Sequence, residues 1–478
     1  MVRTMEYKAA VMDRRIRSLT PPIVLVVLTL VAHANTHQGD FQFDDIPAIQ
    51  GNIHLTSWEA FAGHLGHMVR PVLYGTFLLD HALYGSEPAG YHLLNLLLHL
   101  GSGLLIYQIL SQAAVESAAS IPFWTALLFL IHPMTTETVT YISGRASGLM
   151  TFFYLLTILL YLKALEHQHA RTVLRQYLAG AVVAFLLALG SKETAATLPL
   201  ILLLWDLVIH RRRGALLRDE ILSSHLPFWI VLLVAGGWAW NHPRYADLAA
   251  FSFQLRPLWD NLLSEAHAAV YAVWLFFVPW KQNFDHDLPE FRSILQWPLP
   301  LDLLFLGGSA AAAVAASRRL PFVSFGIGWI LVQLLPTSVI PRADLLSERN
   351  LYLASFGLML TVAALGSRLM QWLTTALPRL RMLRHGATVV AVALVLLLCL
   401  LTYQRNQLYH DRLSLWSDTV SKSPKKARPH NNLGHAYAMR GEWDRAIEEF
   451  RIAAQLDPDS VRAHHNLRKA YLHEVGRP

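Results

Sequence analysis

Long apolar runs, nearly free of charge and separated by short polar clusters, set the rhythm of this chain. Eleven runs have cores at residues 21–34, 91–110, 118–131, 147–165, 177–189, 195–209, 226–240, 301–316, 322–335, 351–365 and 387–401. A helix needs ~20 residues, interfacial ends included, to cross a bilayer. The pattern therefore predicts an all-α polytopic membrane protein of about eleven transmembrane helices, several with short cores and loose bounds. A further apolar stretch, 266–280, breaks the alternation. It reads as a re-entrant or interfacial helix within a region 242–298, a form allowed where the ends are buried in protein or line a cavity.

From about Ala427 the pattern turns polar, charged and helix-periodic. Leu433, Gly434, Tyr437, Ala446, Phe450, Ala453 and Pro458 fall at the spacing of a tetratricopeptide repeat, whose period is ~34 residues. Small residues let two antiparallel helices pack closely, and Pro458 ends the second. A second copy begins with Leu467 and Tyr471, with Arg468 where the pattern has glycine. One and a half repeats fall below the usual ~3 for independent stability. The segment is therefore expected to rest on the membrane part through an amphipathic linker, 408–420, anchored by Leu415 and Trp416. The predicted division is a membrane domain over 1–405 with a first outer loop at 35–89, a linker helix at 406–426, and a repeat segment at 427–478.

Charged residues make up 15% of the chain, against ~25% in soluble domains. The net charge of +7 sits in small clusters beside apolar runs, which argues against a nucleic-acid surface and for topology determinants. Arg3, Lys8, Arg14, Arg15 and Arg17 precede the first run, as in a signal peptide. No clear cleavage site ends that run, so a retained anchor with a cytoplasmic N-terminus is expected. Counting from there, Lys163, Arg171 and Arg175, then Arg211, Arg212, Arg213 and Arg218, then Arg318 and Arg319, then Arg379, Arg381 and Arg384 all fall on cytoplasmic turns. The repeat then lies on the far side, the periplasm if the membrane is a bacterial inner membrane. The single Cys399 lies in an apolar run and reads as a small core- or lipid-facing residue.

The opposite turns carry the candidate chemistry. Asp44 and Asp45 stand between Phe43 and Ile46. Two like charges that close push one proton affinity upward, which suits a general base. Arg70-Pro71, Glu137, Gly144-Arg145, Lys192-Glu193, Asp285 and Glu348-Arg349 fall on the same face. Each admits a plain reading as a turn or a local ion pair, Lys192 with Glu193 or Glu348 with Arg349. Ionisable groups at membrane depth are costly, and their convergence on one face favours a shared site. Arg70, Arg145, Lys192 and Arg349 suit a lipid-linked phosphate. Among 23 histidines, His54, His64, His67, His92 and His99 lie on or near this face. They show no metal-ligand spacing, so no metal or cofactor is expected.

In order, Phe43-Asp44-Asp45, Arg70-Pro71, Gly90-Tyr91-His92 with Asn95 and His99, His132-Pro133 with Gly144-Arg145, Ser191-Lys192-Glu193, Phe284-Asp285 and Glu348-Arg349-Asn350-Leu351-Tyr352-Leu353 resemble the TMTC family of membrane O-mannosyltransferases and its bacterial relatives, within the GT-C glycosyltransferase superfamily. The resemblance covers nearly the whole chain and departs from the animal proteins in its short repeat array. It implies a GT-C core with the catalytic aspartate on the first outer loop. It also implies an inverting transfer of a hexose, such as mannose, from a polyprenyl-phosphate donor to a hydroxyl. Asp44 is then the base and Asp45 its orienting partner; Arg70, Arg145, Lys192 and Arg349 hold the phosphate. Glu193 and Glu348 hold those cations, with His92, His132, Asp285 and Tyr352 in support. A serine or threonine of a protein is the expected acceptor. A glycan or lipid acceptor, a lipid-sugar transporter and a non-enzymatic scaffold are the alternatives.

Overall fold

The computed structural model describes residues 19–114, 118–210, 218–376 and 381–475, and among them there are helices and turns but no strand. The basic residues before Leu19, together with Arg211, Arg212, Arg213 and Arg379, lie outside these ranges. The first apolar run forms helix α1 (19–32). The loop after it holds α2 (Trp58–His64) and α3 (Pro71–Tyr84). Then come α4 (Pro88–Ala113), α5 (Ile121–Ile131), the short α6 (Thr136–Thr140), α7 (Arg145–Glu166), α8 (Arg171–Leu189) and α9 (Leu198–Val208). The second half contains α10 (Arg218–Asn241), α11 (Pro243–Leu255), α12 (Leu258–Phe277), α13 (Leu299–Ala316), α14 (Pro321–Val339), α15 (Glu348–Ala376) and α16 (Arg381–Gln407). Four shorter helices follow: α17 (Arg412–Lys422), α18 (Ala427–Met439), α19 (Trp443–Leu456) and α20 (Val461–Val475).

All eleven predicted apolar runs lie on helices. Eight helices among the described residues are long and apolar enough to cross a membrane: α1, α4, α7, α8, α13, α14, α15 and α16. α5 and α9, at 11 residues each, rise only ~17 Å at 1.5 Å per residue, short of a ~30 Å hydrocarbon core. Proline in the first turn starts α3, α4, α5, α9, α11, α13 and α14, where its missing N–H costs nothing. The stretch expected at 266–280 is the second half of one continuous helix, α12, which starts at Leu258. Its early polar residues hid it: Asn261 is fully buried and donates to the carbonyls of Thr337 and Ser338.

α7 lies along α4 and α8, while α15 packs on α5 and α14. Tyr154, Tyr161, Phe129, Trp329 and Tyr352 are buried at these contacts. Leu30, Leu233, Leu304 and Leu396 stand exposed on outer faces of α1, α10, α13 and α16, an apolar surface suited to lipid rather than water. Helical rise puts the ends of α7 ~33 Å apart. Arg145 opens it at one end, and Lys163 lies near the other, facing the turn to Arg171.

The first loop folds back on the bundle. Phe41, Leu55, Phe77, Tyr91 and Ile142 form one buried cluster, so the acidic string is fastened on its upstream side. On the other side Leu415 and Trp416 of α17 enter a second cluster with Tyr141, Phe284, Tyr409 and Leu433. The anchors predicted for the repeat are thus seated against the same loop. Within the repeat, α18 and α19 form a tight hairpin because Gly434 admits Phe450: a Cβ there would come within 2.8 Å of that ring.

Candidate functional site

A cavity of about 520 Å³ opens at the end of the bundle where the first loop, the start of α7, the turn before α9 and the segment before α15 meet. Asp44, Arg70, Lys192 and Arg349, expected together from the sequence, all line it. The adjacent acids part company. Asp45 is fully buried; its Oδ2 accepts the Gln42 N–H at 2.9 Å, and its Oδ1 accepts the Ser143 N–H at 2.7 Å and the Ser143 hydroxyl. Burial pushes its carboxyl up to about 7, against the pull of those hydrogen bonds, and Asp44 adds a smaller push. Asp44 keeps a half-exposed carboxylate whose Oδ2 stands 3.5 Å from Arg349 Nη2. Its backbone N–H donates to the Tyr141 hydroxyl at 2.9 Å. Phe43, just before it, has φ +36°, a value that bulky residues adopt only where their surroundings enforce it.

The local ion pairs open to the sequence do not form. Glu193 turns from Lys192 and takes Arg70 in a two-pronged pair, at 3.0 Å from Nε and 2.9 Å from Nη2. Glu348 turns from Arg349: its Oε1 accepts the Asn283 N–H at 2.6 Å and lies 3.0 Å from His286 Nε2, and its Oε2 lies 3.8 Å from Arg405. Glu348 and Arg349 are neighbours on α15 and face different ways, and Lys192 is extended backbone ahead of the 3-10 turn that Glu193 opens, so each meets another element. The role expected of Glu348 beside Arg349 falls to Glu137, which accepts the Arg349 N–H at 3.0 Å and lies 3.8 Å from its Nε.

Lys192 Nζ donates to Ser147 Oγ at 2.6 Å and Asn350 Oδ1 at 2.7 Å, both neutral. Burial lowers its affinity for a proton well below that of an ordinary lysine, and Arg342, Arg70 and Arg349 lower it further. Arg342 is depressed in turn by burial and by Arg70. The four cations on the wall face only two carboxylates there, Asp44 and Asp344, and Asp344 is already paired with Arg428 at 2.5 Å. An anion entering the cavity relieves this crowding of like charge.

Other expected residues lie elsewhere. Arg145 is not in the cavity wall. It is fully buried, with Nη1 2.5 Å from Asp80, Nε donating to Asn95 at 2.7 Å and Nη2 to the Tyr91 carbonyl at 2.8 Å. Its donors are spent on protein, whereas Arg342 stands in the cavity wall. His92 is held at the Gly39 carbonyl, 3.0 Å away. His132 stacks on Phe276 and lies 3.0 Å from its carbonyl. Tyr352 meets His99 Nδ1 at 2.7 Å. These three brace helices behind the site. Asp285 receives Lys426 from the end of the linker and Arg428 from the repeat, at 2.5 and 2.6 Å. His54, His64 and His67 line a separate groove of about 700 Å³ that shares Arg70 and Tyr74 with the cavity.

Arg342, Asp344 and Ser143 were not singled out from the sequence. Arg342 did carry a signal: Pro341-Arg342 sets a cation beside a proline near an apolar run, as Arg70-Pro71 does. Ser143 carried none, because its value lies in a hydrogen bond to a residue 98 positions away.

Comparison with known proteins bears on what such a site belongs to. A family model described as TPR repeat matches residues 434–473. The chain is 26% identical over 456 residues to Protein O-mannosyl-transferase F38B6.6 of Caenorhabditis elegans, covering 91% of this chain and 62% of that one. It is also 26% identical to Protein O-mannosyl-transferase TMTC4 of Mus musculus, over 92% of this chain and 67% of that one. It thus resembles the TMTC family along nine-tenths of its length, while spanning about three-fifths of the first of these relatives. Among solved structures, ArnT from Cupriavidus metallidurans bound to undecaprenyl phosphate aligns at 16% identity and a TM-score of 0.41, covering 95% of this chain and 78% of that one.

Proposed function

We propose that the chain is a membrane glycosyltransferase that moves a hexose, mannose by analogy with its relatives, from a polyprenyl-phosphate donor to a serine or threonine hydroxyl of a protein, with inversion at the anomeric carbon. One observation carries the reading. Two cations without a carboxylate partner among the described residues, Lys192 and Arg342, stand with Arg70 and Arg349 in a cavity that also exposes Asp44. Such a wall suits a phosphate, and the carboxylate beside it suits a base.

In this mechanism Asp44 takes the proton of the acceptor hydroxyl as its oxygen bonds to the anomeric carbon. The bond from that carbon to the phosphate oxygen breaks, and its electron pair leaves with the polyprenyl phosphate. Arg70, Lys192, Arg342 and Arg349 hold that leaving group, whose charge grows as the bond breaks. Asp45 touches no substrate; by binding Ser143 and Gln42 it keeps the loop in register. Glu193 aims Arg70 and Glu137 aims Arg349. The basic turns at Lys163–Arg171 and Arg318–Arg319 lie at the opposite ends of α7 and α14, which supports a site on the non-cytoplasmic face.

Asp44→Asn is the direct test. Sugar transfer in proteoliposomes is expected to fall by roughly 10²–10⁴-fold, the usual worth of a general base, with donor binding and thermal stability retained. Turnover near the unmodified rate would overturn the assignment of the base.

A further inference from the structure

The repeat reaches into the cavity wall. Arg428, in the first turn of α18, donates from Nε to Asp285 Oδ2 at 2.6 Å and from Nη2 to Asp344 Oδ1 at 2.5 Å. Lys426 donates to Asp285 Oδ1 at 2.5 Å and to the His286 carbonyl at 2.9 Å, and lies 3.6 Å from Asp344. Asp344 lines the same cavity as Lys192, Arg342 and Arg349. The Arg428 guanidinium also lies 5.9 Å from the Phe43 ring, which Phe284 and Trp416 flank at 6.0 and 5.6 Å.

We propose that Arg428, seconded by Lys426, is a positioning residue for the donor phosphate: it holds Asp344 off the cavity cations and closes the clamp on Phe43, so that the repeat completes the transfer site. The inference rests on the function proposed above, and its reasoning is electrostatic. A carboxylate in a wall of cations is an internal competitor for any phosphate that enters. Asp344 is harmless there only while cations from outside the cavity occupy it. Without Arg428, the nearest charges left for it are Lys426 and the phosphate ligands themselves. The clamp on Phe43 adds a second route. A bulky residue at φ +36° relaxes when its neighbours are removed, and Asp44 is the next residue in the chain. The two routes separate in experiment, because the first acts on donor binding and the second on turnover.

The test uses the full chain in detergent, with decaprenyl phosphate as the binding probe and sugar transfer as the second readout. Arg428→Ala is expected to weaken probe binding by about tenfold, the coupling typical of residues in one charge network. Arg428→Lys, which keeps the charge without the two-pronged hold, should fall between. The decisive variant is Arg428→Ala with Asp344→Asn, in which the competitor is discharged: binding should return to within about threefold of the unmodified chain while kcat stays depressed by the loosened Phe43. A purely structural role for Arg428 would leave the double variant no better than the single one. That result, or unchanged binding in a well-folded Arg428→Ala protein, overturns the inference and leaves the proposed function standing. Absence of probe binding by the unmodified chain would instead overturn the function on which it rests.

Discussion

Asp44 and Asp45 are chemically alike and adjacent in the chain, yet the fold gives them different surroundings. The side chain of Asp44 is 47% exposed, and that of Asp45 is sealed beneath Ser143. Like-charge repulsion, the ground on which the pair stands out in the sequence, contributes least to the raised proton affinity of Asp45; burial contributes most. The sign of the stability effect follows. A carboxyl at about 7 in the folded state and 3.8 when unfolded keeps its proton in the fold after the unfolded chain has released it. Its contribution is complete below 3.8 and is lost as pH rises through 7. Asp45→Asn cannot ionise, so its melting temperature should gain on that of the unmodified protein between these limits, apart from a constant offset for the disturbed hydrogen bonds. Parallel melting curves across that range would show that the folded Asp45 titrates like a free carboxyl. The same logic of position governs the cations. Nothing about Arg145 as a residue separates it from Arg342; a buried carboxylate at Asp80 does.

At the scale of elements, the site depends on how closely short helices approach one another. Gly144 lets the start of α7 lie on α6: a Cβ there would come within 2.5 Å of the Glu137 carbonyl oxygen and 2.9 Å of the Thr138 Cα. Both are backbone atoms that cannot swing aside, and the side chain of Glu137 is the one that meets Arg349. Gly144→Ala should therefore cost roughly 1–3 kcal/mol, as overpacked sites do, and should shift Glu137 from its cation. Thermal unfolding and donor affinity should decline together; an unchanged melting temperature would mean that the turn has slack. Apolar periodicity made every spanning helix legible, because lipid demands the same unbroken run whatever the neighbours are. It misplaced the start of α12, where buried Asn261, Ser264 and Glu265 look like surface residues until their partners are seen. The short cores at 118–131 and 195–209 were already visible, and the structure ends them at 3-10 turns that follow α5 and precede α9.

For the whole molecule, the repeat and the bundle share one core. The cluster of Tyr141, Phe284, Tyr409, Leu415, Trp416 and Leu433 draws on the bundle, the linker and α18 alike, which is how one and a half repeats can be stable. Trp416→Ala should remove roughly 3–5 kcal/mol of that docking. Limited proteolysis is expected to cut the 408–426 segment faster while the bundle stays intact; equal rates of cutting would show that the repeat is held by its charge pairs alone. The sequence by itself determined the membrane class, the apolar runs, of which eight form helices long enough to span among the described residues, the repeat and its anchors, and the polar turns on one face. Each follows from local composition and period, which survive in one dimension. Only the tertiary structure decided which of those polar residues meet: Glu193 with Arg70, Glu137 with Arg349, Arg145 with Asp80, and Arg342 in the wall with Lys192. Charge pairing is a matter of a few ångströms between residues up to 212 positions apart, and nothing in their order along the chain encodes that distance.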